Sequence, residues 1–426
     1  MISFAAPFPY RIRELTRRLQ SSMWKNLRNL IFGGIASKVL LGLANIIIIK
    51  YLPKEDYAQV ANFLFIQSMV SGLFFSPFLL SSVVGANLYG IRNARRLFSA
   101  LNLIQICLVV LLFLAAVSYG PSLSLHLFRK PEFYYSLILG LFSSIFLTFQ
   151  NIILSQHQAN ESYKSYNIIN ILRPVVLIAM LVFLYAFGWL SFWTASLAFL
   201  ASIVLSVGGE ARFLLEAIQI KGLIFRIRQF SWFWKSLRFL ILFFFVRAIL
   251  DHVASFMVSR YFNLDQNASY GVAFRYYAMV DLVIFSAHIA FLNSFTRDPE
   301  PEAKQKFVRW MKATALASVL GLVALWFSKP IFVWINGEKY ADAFPIFAAF
   351  MCGLVVYLIA SPVIYGVARK RAFKSLFLLS LLALVFQVLG TSWAAQHQSL
   401  VFVAVSSVMA RGFIYLSCLY LYFRRA

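Results

Sequence analysis

Negative charge is scarce in this chain. Asp and Glu number 15 against 39 Lys and Arg in 426 residues, and only 13% of the sequence is charged at all. With 61% apolar residues and a mean hydropathy of +0.78, too little polar side chain is present to coat a soluble domain. Cysteine is nearly absent, and Cys107, Cys352 and Cys418 all lie inside apolar runs, which argues against a disulfide framework or a zinc ligand set. No Gly-rich loop ending in Lys-Ser/Thr occurs, so the chain is not expected to hydrolyse ATP itself. No His/Cys metal spacing and no Gly-x-Ser-x-Gly elbow occurs either. Neither catalytic residues, nor a bound metal, nor an organic cofactor is expected.

Apolar runs of about 20 residues recur along the whole length, the span a bilayer core demands. The alternating pattern of a transmembrane barrel is absent, so backbone satisfaction requires helices. The runs predict an all-α polytopic membrane protein with twelve spans near 29–50, 58–84, 97–118, 134–156, 166–187, 190–208, 238–261, 268–296, 309–329, 343–366, 374–395 and 400–423. The net charge of +24 would suggest a nucleic-acid partner in a soluble protein, but here the basic residues sit in loops. With the N-terminus inside, 27 Lys and Arg fall in cytoplasmic segments, 7 in the opposite loops and 5 within spans. That bias places both termini in the cytoplasm.

Residues 1–28 form a basic arm. Ile12, Leu15, Leu19 and Met23 lie at helical spacing, with Arg11, Arg18 and Lys25 on another face, which fits an amphipathic helix on an anionic membrane surface as well as a disordered arm. Residues 29–208 and 238–426 then make two six-helix halves. They are joined by a cytoplasmic segment, 209–237, that reads either as a second interfacial helix or as a plain basic linker. The halves look related: Ala44-Asn45 and Lys50-Tyr51-Leu52 match Ala254-Ser255 and Arg260-Tyr261-Phe262 at an offset of 210. Tyr57-Ala58 and Tyr270-Gly271 follow. Pseudo-symmetric halves are a known transporter plan, with the site at their interface.

Charges inside the spans mark candidate sites, because each costs about 2.5–3.5 kcal/mol at a helix centre. Lys38, Arg173, Arg247, Arg275 and Arg411 are the basic ones, against Asp251 and Asp281, with His252 and His288 nearby. Lys38 shares a helix face with Gly34, Gly42 and Asn45, a stripe that suits either a cavity wall or close packing. Arg247 and Asp251 are i,i+4 neighbours, which also suits a structural ion pair. Asp251, Asp281, His252 and His288 are candidates to bind or relay a coupling proton or sodium ion, although a lone histidine is more often a packing residue. Arg173 lies near a span end and can snorkel. Pro77 and Pro362 fall inside spans as bends or static kinks.

Two stretches carry a family likeness. The first helix reads GGIASKVLLGLANIIIIKYLPKEDYAQV, with Ala58 after Tyr57 where a glycine is common, and Ile335–Phe347 reads INGEKYADAFPIF. Together with twelve spans and both ends inside, they resemble the polysaccharide flippases of the multidrug/oligosaccharidyl-lipid/polysaccharide (MOP) exporter superfamily. The resemblance implies two halves around a central cavity, a polyprenyl-diphosphate-linked oligosaccharide as substrate, and transfer to the outer leaflet of the plasma (inner) membrane for O-antigen or lipopolysaccharide-type surface glycan. It also implies cationic cavity residues on helices 1, 7 and 8, where Lys38, Arg247 and Arg275 lie. With Arg411 and Asn45 these are the expected substrate-binding residues. The expected partners are the lipid-linked glycan, the bilayer, and a polysaccharide polymerase with its chain-length machinery. The chain itself is expected as a monomer.

A cationic interior favours an anionic diphosphate. A drug exporter of the same fold, handling organic cations, is the alternative. A membrane-embedded polymerase or glycosyltransferase is a second, against which the outer loops of roughly 16 residues or fewer speak.

Overall fold

The computed structural model describes residues 33–34, 36–74, 91–159, 162–210, 223–297, 299–370 and 372–424. Side chains within 91–101, 223–237 and 281–297, and at a few single positions, are outside that description, as are the 1–28 arm and Pro77. Among the described residues the chain is helical with no strand.

The first half runs α1 (36–51), α2 (Lys54–Phe74), α3 (Ile91–Tyr119), a short α4 (Pro121–Phe128), a 3₁₀ turn (Pro131–Phe133), α5 (Tyr134–Ala159), α6 (Tyr163–Ala186) and α7 (Phe192–Val207). The second half runs α8 (Leu223–Tyr261), α9 (Leu264–Arg297), α10 (Glu300–Trp326), a short α11 (Lys329–Asn336), a 3₁₀ segment (Glu338–Ala343), α12 (Phe344–Ala360), α13 (Val363–Arg369), α14 (Phe373–Gln396) and α15 (Leu400–Arg424). The order of three long helices, a short helix, a 3₁₀ segment and three further long helices thus occurs twice, with α13 added in the second half.

Local chemistry sets the ends. Ser191 and Thr194 form a reciprocal capping box at the start of α7. Pro121 and Pro131 open their helices where a missing N–H costs nothing. Gly337, at φ 85°, turns the chain out of α11. The expected span 343–366 is broken at Ser361–Pro362, since proline has no N–H to continue the ladder of α12. The expected separate interfacial helix in 209–237 is also revised: from Leu223 onward that stretch is the start of α8, a helix of 39 residues, or about 58 Å at 1.5 Å per residue.

Nine helices among the described residues are long and apolar enough to cross a bilayer, where the sequence suggested twelve. The remaining expected spans coincide with α1, α2 and α9. Of these, α9 carries Asp265, Arg275, Asp281 and Arg297 in its 34 residues, which lowers its hydropathy. Apolar stripes face outward, as on α10, where Leu316, Val319, Leu320 and Val323 are all more than half exposed. In a bilayer that surface meets acyl chains. The chain is an integral, multi-pass membrane protein.

Inside each half, polar side chains pair across helices. Gln67 of α2 donates to Ser143 of α5 at 2.5 Å, Gln150 of α5 to Ser206 of α7 at 3.0 Å, and Gln387 of α14 to Ser407 of α15 at 3.1 Å. The halves meet mainly where α2 lies along α8 and α9. Gly271 of α9 permits a close approach there, since a Cβ on it would stand 2.9 Å from that of Ala61.

At the end bearing the 52–53 and 262–263 turns, cations of one half hold carbonyls of the other. Lys339 Nζ donates to the carbonyls of Lys50 (3.0 Å) and Leu52 (2.6 Å) at the C-terminus of α1. Lys130 Nζ donates to the carbonyl of Ser259 near the C-terminus of α8. Arg260 Nη1 donates to the carbonyls of His126 and Leu127, each at 2.8 Å, at the C-terminus of α4. Terminal helix carbonyls are unpaired and carry the negative end of the dipole, so each ammonium or guanidinium finds both a partner and a favourable field.

Candidate functional site

Four helices of the second half converge on one carboxylate. Asp251 sits one helical turn after Arg247 on α8, and Arg247 Nε donates to both of its oxygens, at 3.1 and 3.3 Å. Arg411, from the middle of α15, brings its Nη2 to 2.9 Å from Asp251 Oδ1 and to 3.5 Å from the Asp251 carbonyl. Arg247 Nη1 also donates to the Tyr415 hydroxyl. Aromatic rings enclose the guanidiniums: Arg247 lies 5.3 Å from the Tyr415 ring centre and 5.8 Å from that of Tyr357 on α12, and Arg411 lies 4.8 Å from that of Tyr277 on α9. Such contacts strengthen when water is excluded.

The cluster reaches the other half through two further residues. His252 follows Asp251 and turns toward α2, where its ring packs 6.0 Å from Phe65. Gly72 makes room for it, because a Cβ there would lie 3.2 Å from His252 Nε2. Arg275 of α9 lies beside the Tyr57 hydroxyl of α2, and His252 is within electrostatic reach of Asp251, Arg411 and Arg275.

These groups share a depth. Asp251 is ten residues before the end of α8 at Tyr261, Arg275 eleven after the start of α9 at Leu264, and Arg411 eleven after the start of α15 at Leu400. All are therefore about 15–17 Å along their helices from the same end of the bundle. Among the described residues, three guanidiniums and one carboxylate lie in this region.

Lys38 does not join this cluster. It lies in the first half beside Arg173 of α6. Arg173 Nη1 in turn donates to Gln150 Oε1 at 3.3 Å. The α1–α6 contact that places it there is tight: Ser37 Oγ donates to the Asn170 carbonyl at 2.7 Å, and a Cβ on Gly33 would run into the Asn167 side chain. Of the small and polar stripe, Gly42 packs on Met279 of α9, one turn from Arg275, and Asn45 Nδ2 donates within its own helix to Leu41 at 2.8 Å. Asp281 and His288 lie on α9 among residues whose side chains are outside the described set.

Sequence reasoning did not single out Tyr277, Tyr357 or Tyr415. Tyr415 stands four residues after Arg411, and a mid-span tyrosine one turn from a mid-span arginine is a signal that could have been used. Among the described residues no group of His, Cys, Asp and Glu could hold a metal ion.

No family model and no curated protein matches the sequence. Solved structures do. The lipid II flippase MurJ, in an inward closed conformation, aligns at a TM-score of 0.71 over 92% of this chain and 87% of that one, with 16% identity. The fold is that of the MOP transporters. A point mutant of the Vibrio cholerae MATE transporter VcmN aligns over 95% and 97% of the two chains at a TM-score of 0.67 and 12% identity. A MOP superfamily transporter from Pyrococcus furiosus, described as having a binding pocket of reversed polarity that suggests a different function, aligns over 94% and 95% at 0.66 and 14% identity. At such identities the MOP likeness is one of architecture, and flippases and drug exporters share it.

Proposed function

We propose that this protein is a flippase for an anionic lipid-linked oligosaccharide. It would carry the head group of a polyprenyl-diphosphate-linked glycan from the cytoplasmic to the outer leaflet of the plasma membrane, in the making of an O-antigen-type surface polysaccharide. The observation that carries this reading is the pair of guanidiniums of Arg247 and Arg411 on Asp251 deep in the bundle, with Arg275 level with Asp251 and beside Tyr57 of α2 in the opposite half. Guanidinium forks match phosphate oxygens in pairs, and at low dielectric they repel organic cations. The sign of the cluster thus favours a diphosphate over the cationic drugs of the alternative reading.

Rocking of the two halves would present the site to each side in turn. The head group enters between them, the lipid tail stays in the bilayer, and the diphosphate meets Arg411 and Arg247 first. Lys38 and Arg173 form a second cationic point in the first half that the diphosphate or an acidic sugar would pass. A polymerase with its chain-length machinery would take up the product outside. A coupling proton or sodium ion would act through Asp281 and the histidines of α8 and α9, His252 and His288.

The test is surface glycan in a strain lacking this chain, complemented with wild type, R247A, R411A and R275A. Loss of glycan with R247A and R411A, with each variant present in the membrane at normal amount, is the expected result. Full export by both alanine variants would remove the cluster from the mechanism.

A further inference from the structure

Asp251 is bound to two arginines, yet it is the most accessible of the three. Its side chain is 32% exposed, against 14% for Arg247 and 5% for Arg411. The carboxylate is therefore the part of the trio most open to an incoming group. It also serves them incompletely. Its Oδ1 takes Nη2 of Arg411, its two oxygens share Nε of Arg247, and Arg411 Nε is buried without any acceptor. A buried donor left unpaired is costly, and that cost is recovered only when an acceptor arrives. A carboxylate has two oxygens. A diphosphate has enough to take the whole edge of Arg411 and the Nε of Arg247 together.

We propose that Asp251 is an internal stand-in for the substrate's phosphate. In the empty protein it binds both Arg247 and Arg411, offsets one of their two charges, and keeps the second half folded around them. An incoming diphosphate displaces the carboxylate, fills Arg411 Nε, and is pushed off again as Asp251 returns. A carboxylate already shared by two guanidiniums is a poor seat for a coupling cation, so on this reading Asp251 sets the strength and reversibility of anion binding. The inference rests on the cluster being the diphosphate site.

Binding of inorganic pyrophosphate and of geranyl diphosphate is measured on the full chain in nanodiscs at constant ionic strength, for wild type, D251N and R411A. Constant ionic strength keeps screening from passing as competition. The expected result is that D251N binds both probes about tenfold more tightly than wild type, equivalent to about 1.4 kcal/mol, while exporting glycan more slowly because release is impeded. D251S replaces D251N if the asparagine variant is poorly recovered. Wild-type binding that is abolished by R411A but unchanged or weakened by loss of the Asp251 charge would overturn the inference and leave the flippase reading standing. Binding by none of the proteins, or binding that ignores R411A, would take away the site itself and the inference with it.

Discussion

Lys130 and Lys339 make the same contact from opposite halves. Each stands at the start of a 3₁₀ segment that follows a short helix, and each donates to carbonyls at the C-terminus of the other half's first helix: Ser259 for Lys130, Lys50 and Leu52 for Lys339. The helix ends that receive them are the stretches Lys50-Tyr51-Leu52 and Arg260-Tyr261-Phe262, which match in sequence. The internal repeat thus yields a reciprocal pair of latches across one end of the bundle.

Removing a latch is expected to loosen that end. K339A loses two charge-assisted bonds, worth about 1.5–3 kcal/mol when buried and less at an exposed rim. Spin labels at Lys54 and Glu338 should report a longer, broader distance in K339A than in wild type. K339R should restore most of it, since a guanidinium can reach the same carbonyls.

The latch formed by Lys130 should depend on pH. Burial, partly opposed by Glu132, pushes its ammonium down to about 8. Once this end opens and water reaches it, the group returns toward the ordinary lysine value of about 10.4. Between those values the open form holds a proton that the closed form has released, so closure is favoured as pH rises from about 8 to 10 and loses that advantage below 8. The same label distance, followed over that range, should shorten with pH in wild type and shorten less in K130Q, where the Lys339 ammonium, also lowered by burial, still titrates.

Tyr415 holds Arg247 through its hydroxyl and its ring. Y415F keeps the ring and removes the hydroxyl that accepts from Arg247 Nη1. A loss of about 1–3 kcal/mol of stability is expected, seen as a lower Tm in detergent, with reduced but measurable export. Y415A, which also removes the ring, should cost more on both counts.

Gly353 fits α12 against α15. A Cβ at that position would overlap the Val408 side chain. G353A should therefore lower stability by about 1–3 kcal/mol, as overpacking does, and V408A should recover part of it in the double variant. Additive losses from the two changes would mean that the helices do not meet there.

Much of the fold was legible because membrane helices advertise themselves by apolar length, and the charge bias of the loops suggested an orientation. The Arg247–Asp251 pair was legible too, since i,i+4 spacing on one helix is local. Its second cation was not. Arg411 lies 160 residues away in the chain, and only the packing of α15 against α8 and α12 brings it to Asp251. Lys38 shows the reverse case. The family resemblance grouped it with Arg247 and Arg275, but Ser37 of α1 and the preceding Gly33 pack on α6, and Lys38 lies near Arg173 with them.

By itself, then, the amino-acid order determined that the chain lives in a bilayer as helices, that its interior is more basic than acidic, and that two halves share a pattern, because hydropathy, charge count and repeats are properties of sequence alone. Which charges meet was decided by tertiary structure. A helix has several faces, and the face that turns inward is chosen by the shapes of its neighbours, such as the gap left by Gly72 for His252 and by Gly42 for Met279.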